Sequence, residues 1–310
     1  MKLLVRWIAS MAIVSATPIF MAPAQTSPEF SNSKIVLYEG EPGDGGYWTT
    51  NASQTKPVNP RNEVFRTRLM QRRALEEYAE FLSPLRLPFT LRLYASDCDG
   101  KLYASPHYTG SDPGSDRGIN MCYSFIRWAE DAIPYLEQRQ QDGTLWTPVT
   151  PEQYLVGLYT AVLLHETGHA LSDQLDLPVF GREEDAADQI AAYIALQFGK
   201  ADARTIIKGF AYFWEAAGDP SSFSDYSDTH GTASQRLYNT LCMAYGGDPD
   251  TFRDFVDSGW LSPERAKQCA GEYQQVDFAF KKTILPFIDQ GQMKKVQARQ
   301  WFQPSEKPNN

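Results

Sequence analysis

The stretch from Thr150 to Ser172 constrains the fold more than any other part of the chain, because it carries a nearly complete set of helix signals. Thr150 is a suitable N-cap, Pro151 suits the first helical position, and Gln153 completes a capping box. Apolar residues then recur at helical spacing as far as His165. The sequence therefore predicts one long helix that ends near Ser172.

Near its end, this predicted helix contains an HExxH motif, His165-Glu166-Thr167-Gly168-His169. Histidines at this spacing lie on one face of a helix, so both imidazoles can bind a single zinc ion. The glutamate then lies where it can take a proton from a metal-bound water. We therefore predict His165 and His169 as zinc ligands and Glu166 as the catalytic general base. The alternative is a pair of surface or core histidines that bind no metal.

A catalytic zinc site needs a third protein ligand and one open position. A third histidine within a longer HExxHxxGxxH motif is excluded, because Ser172 and Leu175 occupy the positions of its glycine and histidine. The acidic segment from Gly181 to Asp188 follows, at the start of a second predicted helix, Arg182 to Phe198. We expect the third ligand to come from this segment.

Glu184 is the predicted third ligand. Asp188 lies on the same helical face, where its carboxylate can accept a hydrogen bond from a ligand histidine and fix the orientation of that ring. Glu183 and Asp185 compete with Glu184 for the metal, and Asp188 is a further alternative ligand. Without a metal, these acids would only interact favourably with the N-terminus of the helix.

The HExxH motif followed by Glu184-Asp185-Ala186-Ala187-Asp188 resembles the gluzincin pattern, HExxH and then ExxxD. The chain is also similar to a bacterial family of metallopeptidase-like proteins that is named only as a domain of unknown function. This resemblance covers residues 63–290. The segments that carry it are Gly181 to Gln189, Gln235 to Asn239, Leu241-Cys242, Arg265-Ala266, Cys269 and Glu272-Tyr273. The resemblance implies a zinc-peptidase-like core with an active-site helix, a ligand helix and an edge strand for the substrate.

Gluzincins commonly place a histidine or tyrosine where it can stabilise the oxyanion that forms on the attacked carbonyl. The resemblance therefore implies a catalytic role for His230, with Arg236 on the following helix as its partner. The alternatives are a histidine that orders its own loop, or a fourth zinc ligand in a closed structural site. His107 is predicted to be structural or exposed to solvent. We predict Ile119–Tyr123 as the edge strand along which an extended peptide aligns.

The first residues predict an export signal. Lys2 and Arg6 precede an apolar run, Trp7 to Met21, and Ala22-Pro23-Ala24 matches a signal-peptidase site. We expect residues 1–24 to be removed by cleavage after Ala24, which would place the protein in the periplasm or outside the cell. A membrane anchor is the alternative; after cleavage we expect no stable membrane span.

The four cysteines predict two disulfides, because all of them lie in the part of the chain that would be exported. Three pairings can form. We predict Cys98–Cys122 and Cys242–Cys269, since each pair closes a local loop. Free buried thiols are the alternative.

The net charge limits the partners of the chain. Its formal charge is −9, and loss of Lys2 and Arg6 with the signal peptide would make it −11. Such acidity disfavours nucleic acid and anionic membranes as partners. A peptide or protein substrate is the expected partner, and the sequence does not indicate an oligomeric state.

The order of predicted elements indicates an α+β fold, with a small N-terminal β-sheet and helices before a mainly helical, zincin-like core. We expect an N-terminal strand and loop segment at residues 25–62, a metallopeptidase-like domain at 63–290, and a polar tail at 291–310. Predicted strands lie at 34–38, 89–94, 101–104 and 119–123, and a helix at 63–82.

These features together predict an exported zinc-dependent metallopeptidase that hydrolyses peptide bonds with a water activated by Glu166. Two other functions remain open at this stage. The chain could be a zinc hydrolase of a non-peptide amide. It could also be a non-catalytic binding or scaffold protein that is stabilised by zinc.

Overall fold

The computed structural model describes residues 35–37, 60–98, 106–110, 117–218 and 227–301. The predicted signal peptide at 1–24 and the strand predicted at 101–104 lie outside these described residues, as does most of the predicted N-terminal segment. Among the helices described, none is long and apolar enough to cross a membrane.

A four-stranded sheet forms one part of the fold. Its strands are β1 (Ile35–Leu37), β2 (Leu91–Ser96), β3 (His107–Thr109) and β4 (Gly118–Cys122), in the spatial order β1-β2-β4-β3. β2 pairs in parallel with both β1 and β4, whereas β3 runs antiparallel to β4. All five residues of β4 are buried, while the burial of β2 largely alternates along the strand.

The prediction that Ile119–Tyr123 forms the edge strand is wrong. β4, which contains most of that segment, lies between β2 and β3. Among the described strands, β3 is the edge strand on that side of the sheet, and no strand was predicted at 107–109. The strand is only three residues long and precedes a segment rich in Gly, Asp and Ser, so its own sequence carries almost no strand signal.

Helices make up most of the described chain, which confirms the α+β class. They are α1 (Pro60–Arg72), α2 (Ala74–Leu82), α3 (Tyr123–Asp131), α4 (Ile133–Gln141), α5 (Pro151–Gln174), α6 (Glu183–Ala195), α7 (Lys200–Ala217), α8 (Ala233–Gly247), α9 (Arg253–Asp257), α10 (Pro263–Thr283) and α11 (Gln290–Gln297).

Two helical segments are divided. The helix predicted at 63–82 consists of α1 and α2, which meet at Arg73, where φ is 54° and the backbone is left-handed. The helical segment after β4 is divided at Ala132 into α3 and α4, with Pro134 in the first turn of α4. Proline fits there because the first turn needs no backbone N–H donor at that position.

The long helix α5 forms as predicted and packs against α6 and α7. Thr150 and Gln153 form the complete capping box. One side of α5 packs directly on α7: a Cβ atom added to Gly157 would lie 1.9 Å from the carbonyl oxygen of Thr205, and one added to Gly209 would lie 2.3 Å from the nitrogen of Leu158. The two backbones therefore touch, which only glycine permits.

Both predicted disulfides are confirmed. Cys98–Cys122 joins the segment after β2 to the end of β4, and Cys242–Cys269 joins α8 to α10. Both bonds are buried. Each closes a loop of fewer than 30 residues, with sequence separations of 24 and 27. By the loop-entropy model each contributes about 3–4 kcal/mol of stability.

Candidate metal centre

The candidate site forms where α5 crosses α6. A Cβ atom added to Gly168 would lie 2.7 Å from the Cα of Ala187 and 2.9 Å from its carbonyl oxygen. Because the glycine lies inside the HExxH motif, this crossing brings the first two turns of α6 against both histidines of the motif. The predicted helix pair is therefore present, with small residues at the contact.

Three side-chain atoms converge at the crossing. The Nε2 atoms of His165 and His169 lie 3.2 Å apart, and Oε2 of Glu184 lies 3.2 Å from the first and 3.4 Å from the second. Around a tetrahedral zinc ion with bonds of roughly 2.0–2.1 Å, neighbouring ligand atoms are separated by about 3.3–3.4 Å. The three atoms therefore already have the spacing of three corners of such a site.

The polar atoms of this cluster lack satisfactory partners among the described residues. Oε2 of Glu184 is buried and accepts no well-formed hydrogen bond, although nitrogens of His165, His169 and His230 lie within 3.4 Å. The two facing Nε2 atoms of the motif can share at most one proton. A divalent cation would satisfy all three atoms, and two imidazoles with one carboxylate are a donor set of catalytic zinc sites. The residues present fit the metal.

Each motif histidine is held on its other nitrogen by a carboxylate. Nδ1 of His165 lies 2.8 Å from Oδ1 of Asp188, as predicted, and Nδ1 of His169 lies 2.9 Å from Oε1 of Glu183. If each Nδ1–H donates to its carboxylate, Nε2 is left as the bare nitrogen that a metal requires. Glu183, a competing ligand by sequence, thus contacts the outer nitrogen of His169. Asp185, the other competitor, pairs with Arg182 instead, at 2.9 Å.

The charges around the cluster shift several pKa values. Burial alone would raise the pKa of Glu184, but the neighbouring imidazoles outweigh burial and hold it far below its usual range. Burial likewise opposes ionisation of Asp188, and the contacts with His165 and Arg236 outweigh it and lower its pKa. In the metal-free protein, burial disfavours the charged form of His165, yet its contacts with the carboxylates of Asp188 and Glu184 raise its pKa to about 9.

Arg236 lies beneath the site, and the role predicted for it is wrong. It was expected to assist His230 at the oxyanion. Instead its Nε and Nη2 atoms donate to the two oxygens of Asp188, both at 2.7 Å. The guanidinium is buried and lies 4.0 Å from the ring centroid of Trp214 on α7. Its side chain points into the helical core, which the sequence of α8 alone does not reveal.

His230 lies beside the cluster. Its Nε2 is 2.9 Å from Oε2 of Glu184, and its Nδ1 is 2.8 Å from Oδ1 of Asp228. The backbone N–H of His230 donates to the same Asp228 oxygen, and Arg182 donates to the carbonyl oxygen of His230. Contact with Glu184 is the main reason that the pKa of His230 is raised, against the opposing effect of burial. The imidazole does not belong to the compact three-atom group formed by the motif histidines and Glu184.

Glu166 is buried next to the first histidine of the motif, with 6% of its surface exposed. Burial raises the pKa of its carboxyl, and the positive charges of His165 and His169 act in the opposite direction. A buried carboxyl with a raised pKa is suited to accept and return a proton near neutral pH. The neighbouring Thr167 bonds to the hydroxyl of Tyr78 at 2.7 Å and to a backbone carbonyl of α5, which fixes this turn.

The edge strand β3 is fastened beside the HExxH helix. The Tyr108 hydroxyl donates to Oδ2 of Asp173 on α5 at 2.7 Å, and Nε of Arg117 donates to the same oxygen at 3.2 Å. His107 on β3 is exposed, as expected, and its imidazole acts on the pKa of Glu166. The strand therefore lies beside the helix that carries the motif.

Several contributors were missed by sequence reasoning. Asp228 lies only two residues before His230, and this Asp-x-His spacing was a signal that could have been used. Glu183 was noticed only as a ligand, and Tyr78 carried no signal at all. The contact of Tyr78 with Thr167 joins residues 89 positions apart, so only the assembled fold creates it.

Comparison with known proteins identifies the family. Residues 55–284 match a family model described as "Putative metallopeptidase". The chain belongs to this family, which agrees with the resemblance seen in its sequence and points to a metal-dependent hydrolase. No curated protein and no solved structure matches the chain.

Proposed function

We propose that this protein is an exported zinc-dependent peptidase whose metal is held by His165, His169 and Glu184. The observation that carries the proposal is the convergence of three ligand atoms at 3.2–3.4 Å beside the buried Glu166. Zinc bound there would act as a Lewis acid on a water and on the attacked carbonyl. The family match supports peptide hydrolysis as the reaction class.

The role of Glu166 in this mechanism is proton transfer. Its carboxylate oxygen accepts a proton from the attacking water and then returns it to the nitrogen of the leaving amine. The position of Glu166, buried and adjacent to the first histidine of the motif, supports the role. Burial also keeps bulk water from competing for the proton.

His230 stabilises negative charge on the carbonyl oxygen of the substrate. Asp228 holds its Nδ1 at 2.8 Å, so Nε2 is directed toward the cluster. Once Oε2 of Glu184 binds the metal, Nε2–H of His230 could donate to an oxyanion beside it. An extended peptide would align along β3, which is the edge strand on this side of the sheet among the described strands. This assignment replaces β4 with β3 as the substrate strand.

The location outside the cytoplasm rests on the two disulfides, which persist in oxidising compartments, and on the export signal in the sequence. The catalytic unit proposed is the domain at residues 63–290, which contains every side chain of the candidate centre.

Metal analysis of the mature protein, paired with digestion of a peptide library, tests the proposal. We expect one zinc per chain and peptide cleavage that Glu166→Gln abolishes while the zinc remains bound. A wild-type protein without stoichiometric zinc would overturn the proposal, and so would a Glu166→Gln variant with full activity.

A structural zinc site gives a different set of results. In that case Glu166→Gln would be nearly silent, no peptide would be cleaved, and His169→Ala would lower thermal stability sharply. If the library stays intact while model non-peptide amides are hydrolysed, the substrate class changes and the roles of Glu166 and the metal ligands stand.

A further inference from the structure

We propose that Arg236 is a positioning residue that sets the zinc affinity of the site by locking Asp188 in place beneath His165. The inference rests on the proposed function, because it assumes that His165 binds the metal. The two short hydrogen bonds of Arg236 go to the carboxylate of Asp188, and its Nη2 also lies 3.5 Å from Nδ1 of His165. We expect Arg236 to act on the metal mainly through the Asp188 carboxylate.

The geometry of the pair leaves Asp188 no freedom. Oδ2 accepts a hydrogen bond from Nε of Arg236, and Oδ1 lies 2.7 Å from Nη2 of the same guanidinium and 2.8 Å from Nδ1 of His165. Because both oxygens are held by a planar fork, the carboxylate cannot rotate. Arg236 therefore fixes the direction from which Oδ1 of Asp188 contacts the imidazole of His165, and hence the orientation of that ring.

The guanidinium is held just as firmly. Its plane lies over Trp214, 4.0 Å from the ring centroid, and Phe210 of the same helix lies 5.7 Å away. Only 5% of Arg236 is exposed, and 8% of Asp188. In such surroundings each charge depends on the other, since a buried charge without its partner is strongly unfavourable. The pair therefore joins α7 and α8 to the ligand on α5.

No described residue gives the second histidine, His169, an equivalent support. Glu183, which contacts Nδ1 of His169, has 56% of its side chain exposed and lies at the surface. A solvated carboxylate can exchange its hydrogen bond with water at little cost. The structure thus gives only one of the two ligand histidines a buried, charge-compensated support. We therefore expect the zinc affinity to depend more on the support of His165 than on that of His169.

Zinc affinity, measured by competition with a chromophoric chelator, provides the test. Arg236→Met should weaken binding about 10–100-fold, the range found when the partner behind a ligand histidine is lost. Asp188→Asn should weaken it by a similar factor. In the double variant the losses should not multiply: once Asp188 is Asn, Arg236→Met should add less than about threefold. Arg236→Lys, which keeps the charge but not the fork, should fall between Arg236→Met and wild type.

A matched control is present in the same chain. Arg204 makes a similar bidentate contact with Asp254, at 2.8 and 2.7 Å, between α7 and α9. Arg204→Met removes an Arg–Asp fork without touching the candidate site. It should leave the zinc affinity unchanged, which separates a general loss of packing from an effect through Asp188.

Three results would overturn the inference: wild-type zinc affinity in folded Arg236→Met, losses that multiply in the double variant, or an equal loss in Arg204→Met. If Arg236→Met does not fold, Arg236→Lys decides, because unchanged affinity in that variant contradicts a role for the fork. Failure of the proposed function would look different, since the wild-type protein itself would then bind no zinc.

Discussion

The two ligand histidines of the candidate site are supported in opposite ways. His165 is backed by a buried carboxylate that is itself held by a buried guanidinium, whereas His169 is backed by a carboxylate at the surface. The side chain of Asp188 is 9% exposed and that of Glu183 is 56% exposed. The inner histidine is therefore fixed by the core, and the outer one can adjust. The site therefore combines one ligand histidine whose orientation is fixed with one whose orientation can change.

The largest expected effect comes from removing the inner support. Asp188→Ala leaves Arg236 buried without its counter-charge, so we expect about 3–5 kcal/mol of lost stability. It should also cost about 10–100-fold in zinc affinity. Denaturant unfolding and chelator competition measure the two quantities. A folded variant with wild-type stability and wild-type zinc affinity would contradict the claim that the two histidines are supported differently.

Protonation of the inner histidine should oppose metal binding. In the metal-free protein the pKa of His165 is raised to about 9, chiefly because bonds to Asp188 and Glu184 outweigh burial. This contribution to stability is fully present below the unfolded pKa of about 6.5, and is lost as the pH rises through about 9. Zinc affinity should rise over the same interval, because the metal competes with that proton.

Melting temperatures of the metal-free and zinc-loaded proteins, measured from pH 6 to 9.5, check this sign. The gap between the two melting temperatures should widen as the pH increases. A gap that narrows over this interval would show that the proton and the metal do not compete at this nitrogen.

The crossing of α5 and α6 should affect both histidines together. In Gly168→Ala the new Cβ meets the backbone of Ala187 at 2.7 Å, so the helices must separate, at a cost of about 1–3 kcal/mol. Glu184 would move away from both Nε2 atoms, and zinc binding should weaken. Gly271→Ala on α10 is the matched control, because nothing lies within 4 Å of its new Cβ. It should stabilise the protein by about 0.5–1 kcal/mol.

The smallest effect is expected at the outer support. Glu183→Gln keeps the shape of a solvated side chain, so we expect less than about 0.5 kcal/mol in stability. Its effect on zinc affinity should stay well below that of Asp188→Asn under the same conditions. Equal losses for the two substitutions would mean that burial of the supporting carboxylate does not matter at this site.

Local sequence signals predicted the parts of the site that lie within one helix. The capping box at Thr150 and Gln153 forms as expected, and the motif histidines share a face of α5 because helical spacing alone determines this. The contact between Asp188 and His165 also followed from spacing along α6, once the two helices were assumed to pack together. The two disulfides were found because both loops are short.

The remaining features depend on contacts between distant parts of the chain. In the sheet β3 lies outside β4. The sequence of β4 alone does not indicate which strands will pair with it. Arg236 meets Asp188 across 48 positions, so its role follows from how α8 packs on α6 rather than from its place in the sequence. Arg73, which has a left-handed backbone, divides the helix predicted at 63–82. The apolar spacing of that segment continues across Arg73 and does not indicate the division.

The disulfide between Cys242 and Cys269 has a consequence for timing. It fastens α8 to α10, and α8 carries Arg236 and begins just after the loop of His230. Disulfides of this kind close after a chain has left a reducing compartment. If the chain is exported as proposed, the helix that carries Arg236 would gain its covalent link to α10 only outside the reducing compartment. The redox state of the compartment would then affect how firmly the support beneath His165 is held.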